Sequence, residues 1–442
     1  MANSNETEAS LTGVPARRRP KRGILEIGGR PLRPSTLMMG YGYDPALSEG
    51  ALKPPIFLTS TFAFESAAAG KRHFEAVTGI RSGEAEGLVY SRFNGPDQEI
   101  LEDRLSIWDG GEDALSFSSG MSAIATLLLT HVKPGDTIIH SAPLYAATET
   151  LIGKVLGRLG VNWLDFPAGA SQCGIEKVLQ QAGTSRVPLV FVESPSNPTN
   201  TLVDIEAVSA ACDTVFPVDR PLIAIDNTFL GPLWQRPLRH GADLVIYSLT
   251  KYAGGHSDLV AGAVVGACAA ITPIRTMRNT IGTITDPHSA WMLLRSLETL
   301  ELRMSRAGEN AAKVCEMLRG HPGVEHVGYL GFLAEGSSQA DIYRRHCTGA
   351  GSTFSLYLKG GEAEAFAFLD ALKVAKLAVS LGGTETLASH PAAMTHLSVP
   401  AERKAMLGIT DNLVRISVGI EDPDDLIADF AQALAASSGG SA

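Results

Sequence analysis

Five short apolar runs, separated by stretches long enough for a helix, constrain the fold of this chain most. They are Thr137–His140, Leu189–Glu193, Leu222–Asp226, Leu244–Tyr247 and Val260–Val265. Each run is short and rich in β-forming residues, which is typical of a buried strand rather than a helix. Parallel strands need crossover connections of about a dozen residues or more, and the intervening segments are long enough. The pattern therefore predicts an α/β fold around a large, mostly parallel sheet covered on both faces.

Beyond Pro287 the sequence no longer shows short apolar runs at regular spacing but a mixture of helix and strand patterns. This change predicts a second, smaller α+β domain. Leu293, Leu297, Leu300 and Met304 recur at intervals of four, three and four, so we expect one long helix with an apolar face. Further predicted elements are helices at Asp97–Trp108, Glu362–Leu372 and Pro423–Ala435 and strands at Thr353–Leu358 and Val414–Val418. We place the boundary between the two domains near residue 300.

Composition excludes several classes of protein. Hydrophobic residues make up 45% of the chain, yet no run approaches the roughly 20 apolar residues that a membrane span needs. No apolar core follows Met1, so we expect no secretory signal and a cytoplasmic protein. The five cysteines are scattered and form no Cys-x-x-Cys pair, so we expect neither disulfides nor a metal site.

The net charge of −10 is unevenly distributed. Residues 1–35 carry seven Arg or Lys and three Glu, a balance of +4, so the remainder of the chain carries −14. This acidic remainder argues against nucleic acid as a partner. The basic cluster Arg17–Arg22 lies among prolines without apolar periodicity, which favours a solvated, disordered tail over a nucleic-acid or targeting patch.

Lys251 carries the strongest chemical signal. It follows the run Leu244–Tyr247 in the segment Ser248-Leu-Thr250-Lys251. Open α/β sheets bind their ligands outside the carboxyl ends of the strands, where this segment is expected to emerge. A primary amine there, beside two hydroxyls able to hold a phosphate, has the ingredients of a pyridoxal-phosphate Schiff base. Taken alone, the motif is equally compatible with a lysine in a surface loop.

Four other segments offer groups that suit the same cofactor. Asp226 ends the third run, where a carboxylate can keep a pyridine nitrogen protonated. The amides of Gly120 and Met121 begin a helix-like run and can bind phosphate. Tyr145 can stack on a ring, and Asn197 can hydrogen-bond a ring hydroxyl or a carboxylate.

Each of these features also has an ordinary structural explanation. A strand-end Asp often caps a turn, a Ser/Gly helix start is common, and a single Tyr often only packs. All five segments are nevertheless expected to lie at the same edge of one sheet. No Gly-x-Gly-x-x-Gly follows a strand, which disfavours a nicotinamide cofactor. The combination therefore favours pyridoxal phosphate.

Seven motifs, taken together and in this order, resemble the Cys/Met-metabolism family of pyridoxal-phosphate enzymes. The motifs are Tyr90-Ser-Arg92, Ser119-Gly-Met121, Leu144-Tyr145, Glu193-x-Pro-x-Asn197-Pro, Asp226-Asn-Thr228, Ser248-x-Thr-Lys251 and Ser380-Leu-Gly-Gly. The resemblance runs from about residue 45 to 435. The family includes cystathionine γ-synthase, cystathionine and methionine γ-lyases and O-acylhomoserine sulfhydrylases. It implies an aspartate-aminotransferase-like (type I) fold and a homotetramer built from intimate dimers.

The resemblance implies a set of cofactor-binding residues. Lys251 resembles the Schiff-base lysine that also shuttles protons, Asp226 the partner of the pyridinium nitrogen, and Tyr145 the stacking aromatic that also serves as acid or base. The remaining cofactor residues implied are Gly120, Met121, Thr228, Ser248 and Thr250, with Tyr90 and Arg92 reaching the phosphate from the neighbouring subunit.

The resemblance also implies the substrate residues and the division of the chain. Arg415 resembles the clamp for the substrate carboxylate, with Asn197, Ser380 and Thr395 as its helpers; the alternative is a surface arginine at a strand end. The expected division is a disordered basic tail (1–35), an arm that contributes to the neighbouring subunit's site (36–94), a large cofactor-binding domain (95–300) and a C-terminal α+β domain (301–442).

Three positions depart from the family's pattern. Asn94 is displaced from the family's Asn-Pro-Thr, and Ala146-Ala147 replaces Gly-Gly or Gly-Cys. The missing thiol at Ala147 weakens a strict methionine-γ-lyase assignment. Val379 replaces a Glu that cystathionine-handling members often carry, and it suits a substrate tail without a second ammonium group.

The activity implied is chemistry at the γ-carbon of a methionine- or homoserine-like amino acid. We expect a γ-lyase that releases a 2-oxo acid, ammonia and a thiol from a sulfur amino acid. Replacement at the γ-carbon of an O-acylated homoserine, by a cystathionine γ-synthase or a sulfhydrylase, is the close alternative. A catalytically silent binding relative is a third reading, against which intact Lys251, Asp226 and Arg415 argue.

Overall fold

The computed structural model describes residues 23–77, 80, 87–397 and 399–438. The basic cluster at 17–22 lies outside these residues. The described strands form a large sheet, a small sheet and a hairpin. Their bounds are β1 Glu26–Ile27, β2 Arg30–Pro31, β3 Asp113–Phe117, β4 Thr137–Ala142, β5 Asn162–Pro167, β6 Leu189–Glu193, β7 Leu222–Asp226, β8 Leu244–Ser248, β9 Gly262–Gly266, β10 Val324–Gly328, β11 Thr353–Leu358, β12 Lys376–Leu377, β13 Leu387–Ser389 and β14 Leu413–Ser417.

Helices cover both sheets and connect most of the strands. Their bounds are α1 Pro34–Leu37, α2 Ala67–Val77, α3 Pro96–Asp109, α4 Gly120–His131, α5 Ala146–Thr150, α6 Gln172–Gln180, α7 Ile205–Val215, α8 Gly231–Trp234, α9 Cys268–Ile281, α10 Pro287–Leu297, α11 Leu300–Arg319, α12 Ser338–His346, α13 Glu362–Ala371, α14 Ala401–Met406 and α15 Pro423–Ser438. Among the helices that the structure describes, none is both long and apolar enough to cross a membrane.

The large sheet has the strand order β3-β9-β8-β7-β6-β4-β5. Five neighbouring strands are parallel to one another, namely β8, β7, β6, β4 and β5. The strand β9 runs antiparallel to both β8 and β3. The predicted α/β fold with a mostly parallel sheet is therefore confirmed. Helices cover both faces: Val245 and Val265 pack on the side of α3 and α10, whereas Ile246 and Val264 pack on the side of α4 and α9.

The register of the strands brings their polar ends to one edge of the large sheet. Glu193 is paired with Asp226 across β6 and β7, and Ser248 and Phe117 are both paired with Gly262 of β9. Because β3 and β8 both run antiparallel to β9, the start of α4 emerges at the same edge as the end of β8. The fold thus collects residues that are more than 130 positions apart at one place.

The small sheet is mixed and has the order β10-β11-β14-β13-β12. Its central strand β14 pairs antiparallel with both β11 and β13, so that Arg415 lies opposite Ser355 on one side and Ser389 on the other. Arg415 is only 5% exposed. The reading of this residue as a surface arginine at a strand end is therefore wrong.

The expected long helix through residues 293–304 is two helices. α10 ends at Leu297 and α11 begins at Leu300, with Thr299 at φ −110° and ψ 8° between them. The guanidinium of Arg303 donates to the carbonyl of Ser296 at 2.9 Å and so satisfies a carbonyl near the end of α10. The predicted apolar face survives the break, because Leu297, Leu300 and their neighbours are buried in one core.

Several further elements differ from expectation. The strands β3 and β5 were not predicted, and the segment 23–35, assigned to the tail, contains the hairpin of β1 and β2. The division of the chain into four segments stays a prediction. The predicted strand at Val260–Val265 begins instead at Gly262, and Val260 is 60% exposed.

Candidate active site

A cavity of about 340 Å³ opens where the edge of the large sheet faces the small sheet. It brings together twelve of the fourteen residues predicted from the sequence: Gly120, Met121, Tyr145, Asn197, Asp226, Thr228, Ser248, Thr250, Lys251, Ser380, Thr395 and Arg415. The other lining residues are Ser119, Ile124, Glu193, Phe229, Ile246, Val260, Val379 and Leu381. The two predicted residues outside it are Tyr90 and Arg92.

Lys251 lies at the junction between the two sheets. It follows β8, and its Nζ donates a hydrogen bond of 2.9 Å to Oγ of Ser380, which follows β12 of the small sheet. Burial, and secondarily the positive charge of Arg415, lowers the pKa of the Lys251 amine to about 8. A larger fraction of this amine is therefore neutral near pH 7 than of an ordinary lysine, which is what a nucleophilic or basic amine requires.

Asp226 is a buried carboxylate at the end of β7. Its Oδ1 accepts hydrogen bonds from the backbone N–H of Thr228 at 3.0 Å and from the Thr228 hydroxyl at 2.6 Å. The Thr228 hydroxyl in turn accepts from the backbone N–H of Ser248 at 2.9 Å and fixes the turn to β8. Asp226 thus caps a turn, as the structural explanation of the motif expects, and it also lines the cavity.

The electrostatics of Asp226 suit a cationic partner. Burial raises the pKa of its carboxyl, although the Thr228 hydrogen bonds act in the opposite direction. A buried carboxylate is strongly stabilised when a positive charge is placed against it. A protonated ring nitrogen in the cavity is such a charge.

Glu193 is a site residue for which the sequence suggested no role. It ends β6 beside Asp226 and is 5% exposed. Its Oε2 accepts from the backbone N–H of Tyr145 at 2.6 Å, and its Oε1 accepts from the backbone N–H of Asn197 at 3.1 Å. The only available signal was its place at a strand end in the motif that also contains Asn197.

Arg415 points from the small sheet into the cavity. Its Nη1 donates to Oδ1 of Asn197 at 3.2 Å, and its Nη2 donates to the carbonyl of Ser380 at 3.0 Å. Burial lowers the pKa of Arg415 to about 10, so the guanidinium remains charged at neutral pH. A charged, partly satisfied guanidinium of fixed orientation is the usual partner of a carboxylate in a binding site.

Thr395 and its neighbour complete this wall of the cavity. The Thr395 hydroxyl is 2.9 Å from Nδ1 of His396. Burial, together with the charges of Arg415 and Lys404, lowers the pKa of His396 to about 4. His396 is therefore neutral at physiological pH and leaves Arg415 as the cation on this side.

The start of α4 forms a close-packed cradle. Ser119 caps the helix by accepting from the backbone N–H of Ser122 at 2.9 Å. A Cβ added to Gly120 would lie 3.0 Å from Cβ of Ser248, and one added to Gly262 would lie 2.2 Å from the carbonyl oxygen of Ser119. Glycine at both positions lets the unpaired amides of the first turn approach the end of β8, which suits a phosphate group.

Thr250 is less free than the sequence suggested. Its hydroxyl donates to the carbonyl of Ala261 at 3.2 Å and accepts from the Ala261 N–H at 3.1 Å. These bonds hold the loop that carries Lys251 against the start of β9. A bond from Thr250 to a phosphate would replace the one that it donates to Ala261.

Tyr90 and Arg92 lie outside the cavity of their own chain. Tyr90 is 39% exposed and forms an isolated bridge with Thr61. Arg92 is exposed; its guanidinium donates to the carbonyl of Asn279, and its Cζ lies 4.6 Å from the centre of the Phe93 ring. Neither side chain therefore lines the cavity formed by the twelve residues described above.

The displaced Asn94 has a structural role in this chain. It is 4% exposed, its amide donates to Oε2 of Glu102 at 3.4 Å, and its Oδ1 accepts from the N–H of Gly95 at 3.0 Å. Glu102 also receives Arg278 at 2.5 Å and the Ser116 amide at 3.0 Å, in a buried cluster beside β3. Asn94 itself does not line the cavity.

The family model for "Cys/Met metabolism PLP-dependent enzyme" matches residues 35–435. The chain belongs to this family. It is 39% identical to an L-methionine gamma-lyase of Pseudomonas deceptionensis over 91% of this chain and 97% of the relative. It is 36% identical to an O-succinylhomoserine sulfhydrylase of Pseudomonas aeruginosa over 88% and 92% of the two chains.

Solved structures of the family share the fold. A cystathionine gamma synthase from Xanthomonas oryzae pv. oryzae, solved in complex with cystathionine, superimposes with a TM-score of 0.83 at 33% identity. The match covers 92% of this chain and 99% of that structure. The chain is therefore a PLP-dependent trans-sulfuration enzyme of the γ-family, as the sequence motifs predicted.

Proposed function

We propose that this enzyme is a γ-lyase that acts on a methionine-like thioether amino acid. One observation carries the proposal: Val260 and Val379 line the cavity and are 60% and 55% exposed, so the wall available to a substrate tail is apolar. An apolar wall favours an uncharged thioether and offers no partner to a second ammonium group. The identity to an L-methionine gamma-lyase supports the same reading.

The residues of the cavity fit pyridoxal phosphate. When bound, this cofactor supplies an aldehyde that takes up an amino group and a ring that withdraws electrons from the α-carbon. The first-turn amides of α4, at Gly120 and Met121, are placed to hold its phosphate with Ser248. Asp226 is placed to keep the ring nitrogen protonated, and Thr228 holds Asp226 in position.

The substrate is held by the small-sheet side of the cavity. Arg415 binds the α-carboxylate, and its bonds to Asn197 and to the Ser380 carbonyl fix the plane of the guanidinium. Thr395 lines the same wall. This arrangement leaves the γ-substituent to point towards the two exposed valines.

Two groups are placed to move protons. The Lys251 amine, with its pKa lowered to about 8, removes the proton of the α-carbon and returns protons to the carbon skeleton. Tyr145 is 41% exposed at the cavity, where its hydroxyl serves as acid or base towards the leaving γ-substituent. For methionine the overall reaction consumes one water and releases methanethiol, ammonia and 2-oxobutanoate.

A second reaction is supported by another observation. The identity to an O-succinylhomoserine sulfhydrylase is 36%, close to the 39% for the methionine lyase. Elimination and replacement at the γ-carbon require the same proton transfers, and they diverge only in whether water or an added thiol completes the reaction. Replacement on an O-acylated homoserine is therefore the second candidate.

We also propose that the enzyme works as a dimer, paired into a tetramer. The exposed Tyr90 and Arg92 belong to a motif that reaches a neighbouring phosphate in the family, and the cavity of one chain lacks them. The N-terminal part of the chain also exposes large apolar side chains, among them Leu52 at 81% and Leu58 at 74%. A second copy of the chain would cover such a surface.

The deciding experiment offers methionine and O-succinylhomoserine, each with and without a small thiol, and identifies the products. We expect 2-oxobutanoate and methanethiol from methionine alone. Val379→Glu is expected to reduce kcat/KM for methionine about tenfold, because a charge replaces apolar contact with the tail. Val218→Glu, at an exposed valine outside the cavity, is the matched control. Products only in the presence of an acylated substrate and a thiol would replace the lyase by the second candidate.

A further inference from the structure

Glu193 connects the two functional halves of the cavity. Its two carboxyl oxygens accept from the backbone amides of Tyr145 and Asn197, which belong to the segments after β4 and β6. Asn197 in turn accepts from Arg415 at 3.2 Å. One buried carboxyl group therefore holds the backbone of both Tyr145 and Asn197, and Asn197 in turn contacts Arg415.

We propose that Glu193 is a positioning residue that sets the relative placement of Tyr145 and the Asn197–Arg415 pair. This inference rests on the proposed roles of those residues. Glu193 does not need to touch the substrate, because it acts through backbone amides. The two amides require two acceptor oxygens at a fixed separation, and a carboxylate is the side-chain group that provides them.

The surroundings of Glu193 disfavour its charged form. Burial, followed by the neighbouring charge of Asp226 and more weakly that of Glu149, raises the pKa of Glu193, while the two accepted amide bonds oppose the rise. A buried carboxyl group beside the buried Asp226 and the half-buried Glu149 would not be stable here without specific partners. The N–H of Glu193 is also held, by the Ser141 hydroxyl at 3.0 Å.

Glu193→Gln tests the proposal with almost no change in volume. A glutamine offers one acceptor and one NH₂ group, so it keeps one amide bond and places a donor against the other amide. Glu112→Gln is the matched control, because the exposed Glu112 also accepts a backbone N–H, that of Cys268 at 2.8 Å, and does not line the cavity. Both variants are compared with the wild type as pyridoxal-phosphate-loaded proteins.

We expect Glu193→Gln to raise KM about tenfold through the misplaced clamp and to change the circular dichroism of the bound cofactor per occupied site. The dissociation constant of the apoprotein for pyridoxal phosphate is measured alongside. Glu112→Gln should leave KM, the spectrum and this constant within about twofold of the wild type. Glu193→Asp keeps the carboxyl group but shortens the side chain, so its KM and spectrum should lie between those of the wild type and of Glu193→Gln. It replaces the glutamine variant in the test if that variant does not fold.

Some outcomes would overturn the proposal. If Glu193→Gln loses activity only in proportion to its unfolded fraction, with unchanged KM and spectrum per folded site, the residue is merely structural. An equal change in Glu112→Gln would also contradict a specific role. These results differ from a failure of the proposed function, in which the wild type itself neither binds pyridoxal phosphate nor converts a γ-substituted amino acid.

Discussion

The amine of Lys251 and the hydroxyl of Ser380 are 2.9 Å apart and belong to elements of different sheets. The large sheet supplies the lysine, and the small sheet supplies the group that receives its hydrogen bond. The guanidinium of Arg415, which belongs to the same small sheet, contributes to the lowered pKa of Lys251. The reactivity of the amine therefore depends on how the two sheets are placed relative to each other.

The first prediction concerns uptake of the cofactor by the apoprotein. Only a neutral amine attacks an aldehyde, and the pKa of Lys251 is lowered to about 8. The second-order rate of pyridoxal-phosphate binding should therefore rise with pH and level off above about 8. Stopped-flow absorbance across this range measures the midpoint. In Arg415→Met the midpoint should move to higher pH, because a nearby positive charge is removed. A midpoint that stays in place would show that Arg415 does not influence the amine.

The second prediction concerns the identity of the reactive lysine. Lys251→Ala should lower kcat by at least roughly 10³-fold, because the amine serves both as attachment point and as proton carrier. Borohydride reduction followed by peptide mass spectrometry should locate the cofactor on Lys251 in the wild type. Lys313→Ala, at an exposed position of α11, should leave both results unchanged. A cofactor attached to any other lysine would remove the basis of the proposed site.

The third prediction separates binding from chemistry. Arg415→Met removes the charged partner of the substrate carboxylate while keeping most of the side-chain volume. KM should rise by about 10- to 100-fold, the usual effect of losing a charge-assisted hydrogen bond. Asn197→Ala should raise KM less, because Arg415 keeps its bond to the carbonyl of Ser380. Unchanged KM values in both variants would place the clamp elsewhere.

The fourth prediction tests whether the site is shared between subunits. Arg92→Ala and Lys251→Ala should each be nearly inactive alone. If Arg92 completes the partner's site, refolding the two variants together in equal amounts should restore about a quarter of the wild-type activity. Half of the dimers are then mixed, and one of the two sites in each mixed dimer carries neither substitution. No recovery in a mixture shown to contain mixed dimers would mean that Arg92 serves its own chain.

The fifth prediction concerns a buried acid away from the cavity lining. Burial raises the pKa of Asp109 to about 7, although the Tyr247 hydroxyl donates to it at 2.7 Å. Its pKa in the folded state is above its ordinary value of 3.8, so the folded state binds more protons between these two values. Its contribution to stability is therefore lost as pH rises from about 4 to about 7.

Asp109→Asn removes this titration. Urea denaturation at pH 5 and pH 8 should show the free energy of unfolding of the wild type falling by about 1–3 kcal/mol more than that of the variant. Asp341→Asn, at an exposed ion pair on α12, is the control and should follow the wild type. Parallel pH profiles of the wild type and Asp109→Asn would show that Asp109 does not titrate in this range.

The sequence predicted those parts of the fold that are set by local patterns. An apolar run followed by a polar group marked the ends of β7 and β8, and so located Asp226 and Lys251 correctly at one sheet edge. The edge strand β5 escaped prediction because most of its residues, among them Asn162 and Trp163, are at least partly exposed. Its sequence therefore contains no continuous apolar run. The break between α10 and α11 escaped because no Gly or Pro marks it in the sequence, and its hydrogen bond from Arg303 to the Ser296 carbonyl is visible only in the structure.

The candidate site was predicted less evenly than the fold. Residues whose side chains carry an obvious chemistry, such as Lys251, were found from type and position. Glu193 belongs to one of the motifs, but the motif did not indicate a role for it. Its contacts are two hydrogen bonds from backbone amides, which no residue pattern encodes. The burial of Arg415 in the middle of β14 also required the structure, since it depends on strands on both sides.

Under the proposed assignment, Arg415 on the small sheet recognises the substrate and residues at the edge of the large sheet bind the cofactor, so recognition is divided between two sheets. Arg415, the proposed partner of the carboxylate that all amino acids share, lies in the central strand β14, whereas Val379 belongs to the connection between β12 and β13. New side-chain preferences can therefore arise by altering a loop, without disturbing vitamin capture or the anchoring of the carboxylate.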